Sequence, residues 1–157
     1  MNTQCSVTTK PATTTTSQMS LKNYRLPKSL KPFFYDLTVN TSFDVLTEPN
    51  SFDGDLLILV TCLERTNLIS IHKSELEINE SSIQVMNDEN NANKFEVLST
   101  KYDEDTQIYS ITLSQSLESN QNYSIRMTYV GKIQANNFGF YKSFYTDQNG
   151  VKRYNFS

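Results

Sequence analysis

From Tyr24 onward the chain alternates between apolar and polar positions in short runs. Phe33, Tyr35, Leu37 and Val39 interleave with Phe34, Asp36, Thr38 and Asn40, the period of two that marks a strand with one buried face. Pro27 and Pro32 precede it and favour an extended entry over a helix. Between Phe52 and Leu63, Leu56 to Val60 are apolar on both parities, which predicts a central strand buried on both sides. Shorter strands are predicted around Leu68–Ile71, Leu76–Ile78, Ile83–Val85, Phe95–Leu98 and Ile108–Leu113. The clearest alternation is Tyr123, Ile125, Met127, Tyr129 and Ile133 against Ser124, Arg126, Thr128, Val130 and Lys132. An aromatic strand, Phe138 to Tyr145, is followed by Asp147-Gln148-Asn149-Gly150, read as a hairpin turn of the Asn-Gly kind, and by a returning strand from Val151 to Phe156. Glu48-Pro49-Asn50 reads as a turn and Asn87 to Asn93 as an exposed polar loop.

No stretch of ten or more residues carries helical periodicity, and no fixed-period repeat is visible. The expected fold is all-β, a saddle-like or sandwich arrangement of mostly antiparallel sheets with a disordered N-terminal tail. The tail is residues 1–23. Its Thr8 to Ser17 tract has no apolar periodicity and cannot bury enough surface to offset chain entropy; such tracts resemble O-glycosylated stalks as well as plain tails. Residues 24–157 form the expected β domain.

Composition changes this picture little. Nine Tyr, nine Phe and no Trp suit β structure. A net charge of −3 gives no basis for nucleic-acid binding, which needs a basic surface. No run approaches the ~20 apolar residues of a membrane span, and Met1 to Ser20 lacks the apolar core of a secretory signal. As written the chain would not be exported, unless its numbering starts downstream of a removed leader or anchor. Cys62 sits inside an apolar run and reads as a buried free thiol. A disulfide to Cys5 would tether a tail for little gain.

Catalytic chemistry has little to stand on. A zinc peptidase site draws two histidines from one helix turn, and this chain has one, His72. His72 reads as a structural or surface imidazole, and no activating context joins it to Cys62. Asp53, Asp55, Asp103, Glu104 and Asp105 lie at turns or strand edges as solvated charge, without the glycine and spacing of a calcium loop. No catalytic, metal or cofactor-binding residue is assigned. Four Asn-x-Ser/Thr sequons, at Asn40, Asn79, Asn122 and Asn155, are candidate N-glycosylation sites. With about sixteen Asn in the chain, three to four sequons are expected by chance.

The order of short motifs is more specific than any one of them. Tyr24-Arg25-Leu26-Pro27, then Pro32, then Tyr35-Asp36-Leu37 resembles the opening of the zinc aminopeptidase family typified by aminopeptidase N. Phe52-Asp53-Gly54 is similar to that family's Phe-x-Gly, and Leu68-Ile69-Ser70-Ile71-His72 to its Ile-x-Leu-His segment. Tyr123, then Tyr129-Val130-Gly131, then Gly139 to Tyr145 follow in the family's order. The resemblance covers about residues 24–157.

The resemblance implies an N-terminal β saddle, incomplete at its C-terminal end, that packs in cis against a catalytic domain carrying the zinc. It implies zinc and a peptide substrate for the full-length form only. In the family a Thr-Gln-Phe-Glu segment whose Gln helps bind the substrate's N-terminus would begin where this chain stops, so no family site residue carries over. The chain then reads as a non-catalytic domain of a membrane-associated aminopeptidase, extracellular or at the cell surface by resemblance, with a cytoplasmic location left open. A stand-alone β-sandwich binding or adhesion module is the alternative. Phe138, Phe140, Tyr141, Phe144, Tyr145, Tyr154 and Phe156 crowd one predicted hairpin, so an isolated chain is expected to expose apolar surface and self-associate.

Overall fold

In a computed structural model, residues 22–41, 51–87, 93–133 and 141–156 are described. Eleven strands occur among them: β1 (Leu30–Thr41), β2 (Ser51–Cys62), β3 (Thr66–His72), β4 (Leu76–Ile78), β5 (Gln84–Asn87), β6 (Lys94–Phe95), β7 (Val97–Asp103), β8 (Ile108–Leu117), β9 (Asn122–Lys132), β10 (Lys142–Thr146) and β11 (Lys152–Phe156). One 3-10 turn, Glu80–Ser82, interrupts them. All pairings are antiparallel. The all-β expectation is therefore met. The predicted turn at Glu48 to Asn50, most of the polar loop after Asn87, and nearly all of the Thr-rich tail lie outside the described residues.

The larger sheet runs β1-β2-β9-β5-β6, with β4 pairing the other end of β9; a second sheet runs β3-β8-β7. Their facing sides share one core. Ile58, Val60 and Cys62 of β2 and Tyr123, Ile125 and Met127 of β9 pack with Ile69 of β3 and Tyr109, Ile111 and Leu113 of β8. β9 is the hub because its odd-numbered residues are apolar without interruption from Tyr123 to Tyr129. It pairs β2 along one edge and both β5 and β4 along the other. The chain crosses from one sheet to the other at Glu96: Phe95 ends β6 in the large sheet and Val97 opens β7 in the small one. The single strand expected near Phe95–Leu98 is thus two, because a corner between packed sheets needs a break in pairing.

Two expectations about burial are corrected. In β2 only the even-numbered residues are buried; Asp55, Leu57, Leu59 and Thr61 face away from the second sheet and are half-buried. The run of leucines covers both faces, but among the described residues a second layer exists on one side only. In β1 no residue is buried. Tyr35, Leu37 and Val39 do point to the core side, opposite Ile58, Leu56 and Gly54 of β2. They remain exposed because no strand among the described residues lies over them, and a bulge between Pro32 and Phe34 takes Phe33 out of that alternation.

The β2–β9 ladder also explains two of the short motifs. Gly54 pairs with Tyr129, and Gly131 pairs with Phe52. A Cβ built on Gly54 would come within 2.2 Å of the Tyr129 ring, and one on Gly131 within 2.2 Å of the Phe52 ring. Each glycine is the seat of the opposite strand's aromatic, and the two rings meet edge to face at 6.3 Å. Phe-Asp-Gly and Tyr-Val-Gly are two halves of one interlock.

β10 and β11 form a separate two-stranded sheet. Their turn is not the two-residue Asn-Gly type expected. The Asp147 amide donates to the Val151 carbonyl (2.9 Å) and the Gly150 amide to the Asp147 carbonyl (3.0 Å), while Gly150 alone takes a positive φ of 76°. This is a three-residue loop closed by a left-handed glycine. Asp147 organises it: Oδ1 accepts the amides of Asn149 (2.9 Å) and Val151 (3.0 Å), and Oδ2 accepts Arg153 Nε (3.0 Å). Those donors, the Val151 amide foremost, hold the Asp147 carboxyl below its usual range. Its contribution is therefore complete above the ordinary carboxylate value of about 3.9 and is lost as pH falls through the depressed one. Protection of the hairpin amides, relative to unstructured exchange at the same pH, should fall as the carboxyl is protonated in the wild-type chain. In Asp147→Asn it should be lower at neutral pH and lack the acid step.

Candidate functional site

The chemistry-bearing residues are placed apart. His72 ends β3, exposed, with Nε2 3.1 Å from the Tyr24 carbonyl oxygen. Cys62 ends β2 with no exposed surface, its thiol donating to the carbonyl oxygens of Glu64 (3.2 Å) and Leu117 (3.7 Å). Burial pushes the Cys62 thiol up, away from nucleophilic thiolate. Leu117 pairs with Thr66 at the start of β3, whereas His72 pairs with Ile108 at its end. The two side chains therefore lie on the order of 20 Å apart along β3, and no dyad forms. Cys5 lies outside the described residues.

Asp55, Asp103 and Asp105 are engaged in local structure. Asp55 receives Arg126 through two bonds, Nε at 3.0 Å and Nη2 at 2.8 Å, and the Arg126 hydrogen bond lowers its carboxyl below the usual range. Asp103 Oδ1 accepts the amides of Asp105 (3.0 Å) and Thr106 (3.4 Å), closing the β7–β8 turn. Asp105 pairs with Lys22. Among the described residues no group of three or more His, Cys, Asp or Glu is disposed to hold a metal.

The sequons differ in setting. Asn79 is exposed at the entry to the 3-10 turn, where its Oδ1 accepts the hydroxyl of Ser81 at 2.7 Å, the third residue of its own sequon. Asn40 is exposed on edge strand β1. Asn122 is half-buried in the central strand; its Oδ1 accepts Thr61 Oγ1 (2.8 Å), and Tyr123 and Ser124 beside it are buried. Asn155 pairs with Ser143 in the hairpin.

The surfaces are more informative than the polar groups. Residues 22–29 run as a strap from the Lys22–Asp105 pair, past the His72–Tyr24 contact, to Ser29, whose carbonyl oxygen accepts the Leu63 amide at 2.7 Å. The Tyr24-Arg25-Leu26-Pro27 motif and the segment ending in His72 are thus two sides of one contact. Between strap, β1 and β3 opens an apolar groove of about 360 Å³, with Leu26, Leu30, Tyr35 and Leu68 at its rim and Ile58 and Ile69 in its floor. Sequence reasoning missed it. The apolar parity of β1 is legible, but that no described strand lies above β1 is not.

The second open surface is the hairpin. Phe144 is 61% exposed and Tyr145 58%, although the Phe144 ring lies 6.4 Å from that of Tyr154 and Lys152 Nζ sits 4.7 Å above it. These two aromatics do not fill the core of the described sandwich. Phe138 and Phe140 lie outside the described residues.

Comparison with known proteins identifies the family of this framework. The Peptidase M1 N-terminal domain profile matches residues 31–157. The chain is 32% identical over 141 residues to membrane alanyl aminopeptidase of Manduca sexta, covering 83% of this chain and 14% of that protein. It is 30% identical over 153 residues to human aminopeptidase N, covering 92% and 15%. It is 29% identical over 135 residues to puromycin-sensitive aminopeptidase of Caenorhabditis elegans, covering 86% and 13%. The chain spans only about one-seventh of the length of these relatives. With its profile match extending over most of the chain, this protein belongs to the M1 peptidase family through that family's N-terminal domain.

Proposed function

We propose that the chain is the non-catalytic N-terminal β domain of a membrane-associated zinc aminopeptidase, whose full-length form removes N-terminal amino acids from peptides. The observation that carries this reading is the family match over residues 31–157, against relatives at least six times longer. The sequence supports it, because a single histidine cannot supply a two-histidine zinc motif. The domain acts by docking in cis on the catalytic part. The exposed Phe144 and Tyr145 hairpin fits that role, since a two-stranded ribbon is marginal without a surface to pack on. Left alone, the same surface drives self-association.

The cell-surface part of the proposal follows relatives named membrane alanyl aminopeptidase and aminopeptidase N. On that reading Asn79 and Asn40 are the sequons placed to carry glycans, and Asn122, held by Thr61, is not.

The test compares the 157-residue chain with the longest product of its uninterrupted reading frame, both expressed through a secretory pathway. The longer product should release aniline from an aminoacyl anilide and lose that activity to a chelator, while the short chain releases none. Glycosidase should shift the secreted product's mobility, and Asn79→Gln should remove one step of the shift. Cleavage by the short chain, or a frame that ends without a catalytic part, would count against the domain reading. An unshifted secreted product would remove the glycan assignment.

A further inference from the structure

We infer that Asn149-Gly150, at the tip of the β10–β11 hairpin, is a self-modification site. The Asn149 side chain converts to aspartate and isoaspartate through a cyclic imide, with water as the only co-reactant, at a rate set by the hydrogen bonds of Asp147. The site needs no part of the domain reading above, and it gives a chemistry to a motif that reading leaves unused.

The chemistry follows from the two residues. The Gly150 backbone nitrogen, on losing its proton to solvent, attacks the carbonyl carbon of the Asn149 side chain. A carbon–nitrogen bond forms, the bond to the side-chain amide nitrogen breaks, and ammonia leaves after taking up a proton from solvent. Water then adds to one of the two carbonyls of the five-membered imide. Opening at one restores the ordinary backbone with an aspartate; opening at the other routes the backbone through the side chain as isoaspartate. Any residue other than glycine would crowd the attacking nitrogen with a side chain, and Asn149-Gly150 is the one Asn-Gly pair in the sequence.

The surroundings permit the attack. Asn149 and Gly150 are both exposed, and a Cβ placed on Gly150 would meet nothing within 4 Å beyond its chain neighbours. Ammonia can leave and water can enter without displacing another group. Asp53-Gly54 could close the same ring, but Gly54 is buried in β2 and paired with Val39 of β1 and Tyr129 of β9. Its nitrogen is held in the ladder and cannot turn toward the Asp53 side chain.

The loop supplies a brake. The Gly150 amide donates to the Asp147 carbonyl at 3.0 Å, and neither Gln148 nor Asn149 has a positive φ. Residues 147–150 therefore form a type I turn, in which the residue before Gly150 has ψ of about 0°. Ring closure needs that ψ turned, so that the nitrogen comes alongside the Asn149 side chain, and needs the nitrogen released from its hydrogen bond. Both require the turn to open. Asp147 opposes opening, with Oδ1 on the amides of Asn149 and Val151 and Oδ2 on Arg153. The products fit the loop less well. Isoaspartate adds a backbone methylene to three loop residues, and either product sets a second carboxylate near Asp147. Modification thus loosens the ribbon that presents Phe144 and Tyr145.

Peptide mapping of the 157-residue chain, incubated at neutral pH and body temperature, tests the proposal. Trypsin releases residues 143–152 as one peptide; mass spectrometry reads the amide-to-acid conversion, and an isoaspartate-specific methyltransferase reads the backbone route. Wild type should accumulate isoaspartate at position 149, more slowly than the free peptide of residues 143–152. Asp147→Ala should raise the rate in the chain about tenfold, as bonds to a charged acceptor are lost. Arg153→Gln removes one exposed partner and should raise it about twofold. Because β10 and β11 form a sheet of their own, the melting temperature of the sandwich should hold in both variants; if Asp147→Ala unfolds, Arg153→Gln decides in its place. Absence of isoaspartate at 149, or wild type reacting as fast as the free peptide, would overturn the inference. So would equal rates in wild type and the deciding variant, or isoaspartate at position 53 keeping pace with position 149.

Discussion

Tyr123→Ala should cost the domain about 3–5 kcal/mol of unfolding free energy, the range for deleting a large buried aromatic. Tyr123, the second residue of β9, is 1% exposed, with the Phe95 ring set edge to face at 5.6 Å. Its hydroxyl oxygen accepts the Glu118 amide at 2.8 Å and the hydroxyl donates to Gln121 Oε1 at 3.1 Å. Truncation would empty a ring-sized volume where both sheets meet and leave the Glu118 amide without its acceptor. Since whole domains are stable by only about 5–15 kcal/mol, the variant should be largely unfolded or melt far below wild type in a calorimetric scan. Tyr123→Phe separates the two contributions: it keeps the ring and should cost about 1 kcal/mol. If the alanine variant melted within a few degrees of wild type, β9 could not be the hub of the fold.

The glycine–aromatic interlock gives the second large effect. Gly54→Val and Gly131→Val each place a branched side chain where a ring already sits. Overpacking of this kind costs about 1–3 kcal/mol. Valine's own preference for strands opposes part of that loss, which makes the sign diagnostic. On an open strand surface Gly→Val stabilises; here both substitutions should destabilise in urea titrations. Pairing Gly54→Val with Tyr129→Ala should recover part of the loss, because the ring that the valine displaces is gone. A double variant whose losses simply add would show that glycine and ring do not compete for one space.

How far the sequence discloses this domain depends on the kind of question. Strand identity in β9 was legible because its alternation is unbroken and its inward positions carry large side chains. The resemblance to the aminopeptidase family was legible because glycines and aromatics at fixed places report close backbone contacts. Whether a strand's second face is covered was not legible. Leu57 and Leu59 look like core residues along the chain, yet they are only half-buried and no sheet among the described residues lies over their face. Tyr35 and Leu37 carry the right parity, yet nothing in their own segment shows that the small sheet stops short of them. The break at Glu96 was hidden for a similar reason: a corner is set by which partner each flanking strand finds, and those partners are remote. The loop at Asp147 was misread because Asn149-Gly150 suggests a two-residue turn, while the acceptors of Asp147 favour a loop one residue longer.

The central pairing of β2 with β9 has a consequence during synthesis. Ser51 meets Lys132 and Thr61 meets Asn122, so every rung of that ladder joins residues on the order of seventy apart. At roughly 5–20 residues per second, a ribosome leaves β2 waiting several seconds for its partner. Until β3, β7 and β8 have also been made, the β1–β2 hairpin leaves Ile58 and Val60 bare on one face. A nascent chain at this stage is a natural client for a chaperone that holds apolar strands apart, and slowing translation beyond residue 62 would lengthen its exposure.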